Sequence, residues 1–237
     1  MARPWPVAPI LAALVVAGCA AKEATAPPAG TDRRNATYDR PAADSPKTLV
    51  LVCNEWWPYT GPAGSDREGF AVDLVREALG RMGYRLEYRT RPWARCVKEM
   101  KEGRVDGVLA AYRVAGRDWL FGEVPLGLSP DGDSDFVVIR RRGSGWKFRG
   151  PDSLRTARLA VAEGYHYPEP IEGRLYRGDR RGLLVLSGED PTLRMLQAVA
   201  AGRADALVEN RAVVEAALAR NPRLRDAVEE AGTLGSW

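Results

Sequence analysis

Aromatic and charged side chains follow the first predicted strand of this chain. An apolar run at residues 49–54 is typical of a buried strand, and directly after it come Glu55, Trp56, Trp57 and Tyr59. Ligands of open α/β sheets bind at the edge formed by the carboxyl ends of the strands. Aromatic rings at that edge can enclose a planar group or face a cation. We therefore predict that these four residues contact a ligand; the alternative is that the rings only fill the core.

A second candidate group begins the helix after the next strand. Trp93 and Arg95 lie at that helix start, where the helix dipole and a guanidinium both favour an anion. Tyr165 is a further candidate contact, whereas the neighbouring His166 is interpreted as structural. The sequence contains one His and shows neither a nucleophile–base pair nor a cluster with metal-ligand spacing. We therefore predict a binding protein that is not an enzyme and uses no metal or cofactor.

The periodicity of apolar residues predicts alternating strands and helices, which favours parallel sheets covered by helices. Strands are predicted at residues 49–54, 86–88, 107–110, 136–139, 158–162, 183–186 and 206–208. Helices are predicted at residues 72–82, 92–102, 190–201, 211–220 and 223–230.

One four-residue phrase, Gly-Arg-x-Asp, occurs twice, at residues 103–106 and 202–205. Each copy follows an amphipathic helix and precedes an apolar run, so its Gly can end the helix in the left-handed conformation. The two copies are too far apart for a solenoid repeat. They indicate two similar α/β lobes, and a cleft between lobes is a common place for a small ligand.

The N-terminal residues have the pattern of an exported protein. In residues 1–18, Arg3 precedes a short apolar segment and small residues lead to Cys19, as in a signal peptide. A Cys at this point resembles the lipobox of bacterial lipoproteins, in which the thiol is diacylated; a plain secretory leader is the alternative. Residues 19–46 are poor in large apolar side chains and are predicted to be a flexible tether. The folded part is therefore expected in the cell envelope, lipid-anchored and facing the periplasm or the exterior.

The net charge of the chain bears on its possible partners. The formal net charge of +4 does not predict a nucleic-acid partner, because an exported protein does not meet one and the densest basic run, residues 140–142, is typical of a solvated loop.

Two cysteines, Cys53 and Cys96, remain in the folded part. Outside the cytoplasm such a pair can oxidise, which leaves two alternatives, a Cys53–Cys96 disulfide or two buried thiols.

Several motifs together resemble the bacterial extracellular solute-binding proteins of family 3, the receptors of polar amino-acid ABC importers. The motifs are residues 55–59, 69–74, 92–95, 103–107 and Arg117. The resemblance runs from about residue 49 to the C-terminus. It implies a type II periplasmic-binding-protein fold with two α/β lobes, residues 47–128 and 129–237. It also implies that a small polar or anionic, amino-acid-like metabolite is held between the lobes and passed to an ABC permease.

The resemblance assigns roles to residues near two strand ends. Arg117 stands where family members grip the ligand carboxylate, which suits the paired donors of a guanidinium. Ala110 and Tyr112 stand where family members carry hydroxyls before that Arg. Asn210, with Glu209 beside it, stands where family members carry an Asp for the ligand's amino group. We keep Tyr112, Glu209 and Asn210 as candidate contacts.

The C-terminus departs from the family pattern as well. Family members run on through a strand that returns to the first lobe, whereas this sequence ends at Trp237, so the first lobe is expected to be incomplete. Two other functions stay open. One is a dehydratase of cyclic amino acids on the same fold, with Glu209 or Glu55 as general acid. The other is a sensory protein or a truncated remnant that binds nothing.

Overall fold

The computed structural model describes residues 47–112, 119–120 and 136–235. Its strands are β1 (Lys47–Cys53), β2 (Tyr84–Thr90), β3 (Gly107–Val108), β4 (Phe136–Arg141), β5 (Leu159–Ala162), β6 (Leu183–Leu186), β7 (Ala206–Asn210) and β8 (Val228–Gly235). Its α-helices are α1 (Phe70–Arg81), α2 (Trp93–Lys101), α3 (Ile171–Tyr176), α4 (Pro191–Ala200), α5 (Arg211–Arg220) and α6 (Pro222–Ala227), and a 3₁₀ helix spans Pro151–Leu154.

The first sheet has the order β2-β1-β3 and is parallel throughout. Helix α1 buries Val72, Val75 and Leu79, and helix α2 buries Met100, in one core with strand β1. These positions follow the helical spacing of the sequence, because residues three or four apart share one face of a helix. The first lobe is therefore built as the periodicity predicts.

The second sheet has the order β6-β5-β7-β4-β8 and is mixed. Strand β5 runs parallel to β6 and β7, whereas β4 is antiparallel to both β7 and β8. The prediction of parallel sheets is thus corrected for this lobe. Both faces of the sheet are covered, since Val137 and Ile139 of β4 belong to one core cluster and Phe136 and Val138 to another.

The two Gly-Arg-x-Asp phrases form the same structure in both lobes. Gly103 and Gly202 end their helices with φ of 67° and 72°. The Asp106 carboxylate accepts a hydrogen bond from the Val50 backbone N–H at 2.7 Å, and that of Asp205 accepts one from the Arg158 N–H at 2.9 Å. Each Asp immediately precedes a strand, β3 or β7. Its carboxylate bonds a backbone N–H in or directly before the strand that pairs with it, β1 or β5. The repeat is a structural device that ties helix, turn and sheet together.

The predicted helix at residues 223–230 is confirmed up to Ala227 and is wrong from residue 228 onward. Helix α6 ends at Ala227, and β8 then pairs with β4 from Val228 onward. Ion pairs hold this edge strand, with Glu229 2.8 Å from the Arg140 guanidinium and Glu230 2.7 Å from that of Arg211. Pairing with a distant strand overrides the local helical pattern.

The alternative of a Cys53–Cys96 disulfide is also corrected, because both thiols are free and buried. The Cys53 thiol donates to the Leu109 carbonyl at 3.3 Å and the Cys96 thiol to the Arg91 carbonyl at 3.4 Å. Burial raises the pKa of Cys53 to about 12 and raises that of Cys96 as well. Both groups are therefore uncharged core side chains at neutral pH.

Several predictions fall outside the described residues. These are the signal peptide, Cys19, the tether, Arg117 and the lobe boundary at residues 128–129. Among the helices that the structure describes, none is long and apolar enough to cross a membrane.

Candidate ligand-binding site

A cleft lies between the two sheets, and residues of both lobes line it. Among the described residues its walls are Cys53, Asn54, Trp56, Trp93, Ala110, Ala111, Tyr112, Phe136, Tyr165, His166, Tyr167 and Glu209. The cleft lies where β1 and β7 end, as expected for ligand sites in open α/β sheets. Its free volume is about 40 Å³, room for roughly three water molecules.

Glu209 is the carboxylate of this cleft. It lies near the end of β7 and is 2% exposed. Its Oε1 accepts hydrogen bonds from the Trp56 indole N–H at 3.1 Å and from the Asn210 backbone N–H at 2.8 Å. Its Oε2 accepts one from the Thr192 hydroxyl at 2.9 Å. Burial raises the pKa of Glu209, since removal from water disfavours the charged form, and Asp190 raises it further.

Aromatic rings form most of the remaining wall. Trp56 stands edge-to-face on Tyr112, with ring centroids 5.7 Å apart, and Trp93 stands edge-to-face on Tyr165 at 6.4 Å. Tyr112 in turn packs on Phe136 at 5.9 Å. These rings give the cleft an apolar surface with few polar groups, as is usual for small-molecule sites.

Hydrogen bonds connect the two lobes across the cleft. The Trp93 indole N–H donates to the Gly164 carbonyl at 3.0 Å, and the Asn54 amide donates to the Tyr165 hydroxyl at 2.6 Å. The Trp56–Glu209 bond also joins the two lobes. The lobes thus touch each other directly along the cleft.

Five of the predicted contact residues come together in this cleft. They are Trp56, Trp93, Tyr112, Tyr165 and Glu209. They are far apart in sequence, and they come together because strands of both sheets end at the cleft. Arg117 lies outside the described residues, so its role stays a prediction.

Three other predicted residues follow β1 but lie outside the described cleft wall. Tyr59 packs behind Trp56, with ring centroids 4.5 Å apart. Trp57 lies beneath the guanidinium of Arg67, 5.0 Å from the ring centroid. The backbone N–H of Glu55 donates to the Glu189 carbonyl at 2.7 Å. Burial raises the pKa of the Glu55 side chain, and the negative charges of Asp190 and Glu189 raise it further.

Arg95 and Asn210 are also outside the wall. Arg95 forms an ion pair with Glu99 at 2.7 Å, one helical turn further on. Asn210 is fully buried and caps α5, where its side-chain oxygen accepts a hydrogen bond from the Val213 N–H at 3.4 Å. The strand therefore turns Glu209, and not Asn210, toward the cleft.

Sequence reasoning missed several wall residues. Asn54 could have been included, because it follows β1 as directly as Glu55 does. Phe136 begins β4, and an antiparallel strand brings its first residue to the edge where β7 ends, opposite Asn210. His166 lines the cleft although it was interpreted as structural, and its Nδ1 lies 2.8 Å from Glu172. Among the described residues, no group of three or more His, Cys, Asp or Glu could hold a metal ion.

Two lobes of sheets and helices, with a cleft lined from both, define the fold of the type II periplasmic binding proteins. A family model, bacterial extracellular solute-binding proteins, family 3, matches residues 49–117 and confirms the resemblance in the first lobe. Among curated proteins, no sequence matches this chain. The family match in the first lobe and the two-lobed fold are thus consistent with each other.

Solved structures support the same fold. A histidine kinase sensor domain with similarity to periplasmic binding proteins has a TM-score of 0.62 and 22% identity, over 81% of this chain and 79% of that one. An ancestral arginine-binding protein bound to arginine has a TM-score of 0.61 and 17% identity, over 82% of each chain. An arginine transport-system periplasmic binding protein from Legionella pneumophila has a TM-score of 0.57 and 18% identity, over 81% and 83%.

Proposed function

We propose that this protein is a lipid-anchored receptor of the cell envelope that captures a small polar, amino-acid-like metabolite for an ABC importer. The metabolite would bind between the lobes, and the closed form would present both lobes to a membrane permease. Cys19 would carry the lipid. The arginine named for two of the structural neighbours makes amino acids the first solutes to test.

The observation that carries this proposal is the shared wall of the cleft. Trp56, Trp93 and Tyr112 come from the first lobe, whereas Tyr165 and Glu209 come from the second. A molecule in this position contacts both lobes at once. It can therefore shift an equilibrium between open and closed forms by binding one of them more tightly.

The small size of the cleft supports the part of the proposal in which the lobes open for the ligand. A free volume of about 40 Å³ is far below the roughly 300–1,000 Å³ of ordinary small-molecule pockets. In this proposal an amino acid enters when the cross-lobe contacts of Trp93 and Asn54 separate. Binding then replaces these contacts with contacts to the ligand, as in hinge closure around a solute.

Calorimetric titration of the purified protein with the twenty amino acids, small carboxylates and polyamines tests the proposal. We expect at least one solute to bind, and we expect Arg117→Ala to weaken binding of a solute that carries a carboxylate by about tenfold or more, the effect of losing a bidentate ion pair. Arg95→Ala is the matched control, because Arg95 pairs with Glu99 outside the cleft wall. Absence of binding by a well-folded sample contradicts the proposal.

A sensory role is the second candidate, and the histidine kinase sensor domain among the structural neighbours is the observation that favours it. A sensor and a transport receptor can use the same cleft. The genes beside this one discriminate between the two, since a permease gene supports transport and a kinase gene supports sensing.

A dehydratase is the third candidate, because the raised pKa of buried Glu209 is a property of general acids. Its test is turnover of prephenate-like compounds by the purified protein. Formation of product would replace the receptor proposal, and we expect none.

A further inference from the structure

We infer that the ligand of this cleft is an organic cation, held by the Glu209 carboxylate within a ring of aromatic side chains. Guanidinium and alkylammonium groups are the chemical class that fits. The inference rests on the proposed function and makes it narrower, because it assigns the charge of the solute and the residue that selects it.

The first argument is that none of the described residues supplies a counter-charge to Glu209. None of the described residues of the cleft wall is Lys or Arg, and the wall's one His, His166, already pairs with Glu172. The hydrogen bonds to Glu209 come from an indole N–H, a hydroxyl and a backbone N–H, all of them neutral. A buried carboxylate without a cationic partner is costly, so a positively charged ligand gains by supplying one.

The second argument is the remaining hydrogen-bonding capacity of this carboxylate. An ionised carboxylate offers about four acceptor positions. Oε1 of Glu209 accepts two hydrogen bonds, whereas Oε2 accepts one, from Thr192. With respect to the described residues, one position on Oε2 is thus open to an N–H donor of a ligand, and the Trp56 and Thr192 donors keep the carboxylate oriented.

The third argument is the composition of the wall around Glu209. Of the described residues that line the cleft, six are aromatic: Trp56, Trp93, Tyr112, Phe136, Tyr165 and Tyr167. The faces of such rings attract cations, and the attraction grows when the site is shielded from water. An aromatic wall with one carboxylate favours a flat or alkylated cation over an anion.

Charges beyond the wall act in the same direction. Asp190, the N-cap of α4, adds to the negative potential at Glu209 and is itself half-buried. Among the described residues, Arg220 lowers the pKa of Glu55 and of Asp190 but is not a cause of the shift at Glu209. Glu209 is left as the charge that a ligand can neutralise.

Paired probes of equal size and different charge test this inference. L-Arginine and L-citrulline have nearly the same shape, but only arginine carries a guanidinium. Agmatine keeps the guanidinium and lacks the carboxylate. By calorimetry we expect arginine to bind at least tenfold more tightly than citrulline, and agmatine to bind more tightly than citrulline as well.

Two isosteric variants assign the selectivity to one residue. Glu209→Gln should lower the affinity for arginine at least tenfold and leave that for citrulline nearly unchanged. Glu99→Gln removes a buried carboxylate that pairs with Arg95 outside the cleft, and it should leave both affinities unchanged. If Glu209→Gln does not fold, the ratio of the native protein's affinities for arginine and citrulline still tests whether the ligand is a cation.

The results separate this inference from the proposed function. Tight binding of a neutral or anionic solute, with no preference for arginine over citrulline, overturns the cationic ligand and leaves the receptor in place. An arginine–citrulline ratio unchanged by Glu209→Gln overturns the role of Glu209. Absence of binding by every solute of the panel overturns both proposals.

Discussion

Glu209 combines two properties in the wall of the cleft. It is almost fully buried, and each of its oxygens already accepts a hydrogen bond. The hydrogen bonds fix the position of the carboxylate, while burial disfavours its charge. A site of this kind is pre-organised for a ligand that restores the negative charge by pairing with it.

The burial of Glu209 should be detectable in how the free energy of unfolding changes with pH. The pKa of Glu209 is raised in the folded protein above its ordinary 4.5. Between 4.5 and the raised pKa the folded state binds more protons than the unfolded state, so the contribution of Glu209 to the free energy of unfolding falls as the pH increases. Below 4.5 the group is protonated in both states and contributes no slope.

Glu209→Gln should remove this fall. Urea denaturation from about pH 4 to pH 8 should show the variant gaining stability relative to the native protein as the pH increases through the window. Glu77→Gln is the control, because Glu77 is an exposed residue of α1 paired with Arg81. If the difference between native protein and Glu209→Gln is constant over this range, the pKa of Glu209 is not raised.

At the scale of elements, the repeated phrase explains why two lobes share one local design. Asp106 and Asp205 each accept a hydrogen bond from the backbone of a neighbouring strand, and each donates its own N–H to the carbonyl of the same residue, Val50 or Arg158. This reciprocal pair fixes the turn from helix to strand. Asp205 also accepts from the Arg158 guanidinium at 2.6 Å, so its contribution should be the larger.

Removal of these caps is expected to destabilise the fold measurably. Asp106→Ala should lower the free energy of unfolding by about 1 kcal/mol, and Asp205→Ala by about 1–2 kcal/mol, the usual range for hydrogen bonds to charged groups. Asp152→Ala should cost less than about 0.5 kcal/mol, because Asp152 is 88% exposed and pairs only with Arg155. Denaturant titration measures all three. Equal losses at the three positions would show that the repeat has no special structural role.

The sequence predicted those elements whose signal is local. Strand β1, helix α1 and both Gly-Arg-x-Asp turns follow from periodicity and from residues close along the chain. Strand β8 could not be predicted in this way, since it forms by pairing with β4, and the same residues carry a helical pattern. The state of Cys53 and Cys96 likewise depends on geometry that a sequence does not contain.

The site was predictable in part for the same reason. Residues after β1, at the start of α2 and at the end of β7 were expected at one sheet edge, and Trp56, Trp93 and Glu209 do line the cleft. Sequence could not decide which of two adjacent residues faces the cleft. Alternation along β7 gives that place to Glu209 and makes Asn210 a helix cap.

At the scale of the whole molecule, direct contacts between the lobes compete with a ligand. The hydrogen bonds of Trp56 to Glu209 and of Trp93 to Gly164 both cross the cleft. A ligand that separates the lobes must replace these bonds, so its apparent affinity is the intrinsic affinity multiplied by the fraction of protein in the open, binding-competent form. Ligand binding and the separation of the lobes are therefore coupled.

The central claim is that a small solute binds in this cleft, and the indole N–H signals of Trp56 and Trp93 test it most directly. In ¹⁵N-labelled protein, assigned with Trp→Phe variants, titration with L-arginine should shift both signals until they saturate. The signal of Trp146, which packs on Phe148 away from the cleft wall, should stay in place. Calorimetric binding of a solute that leaves the Trp56 and Trp93 signals unmoved would contradict the account.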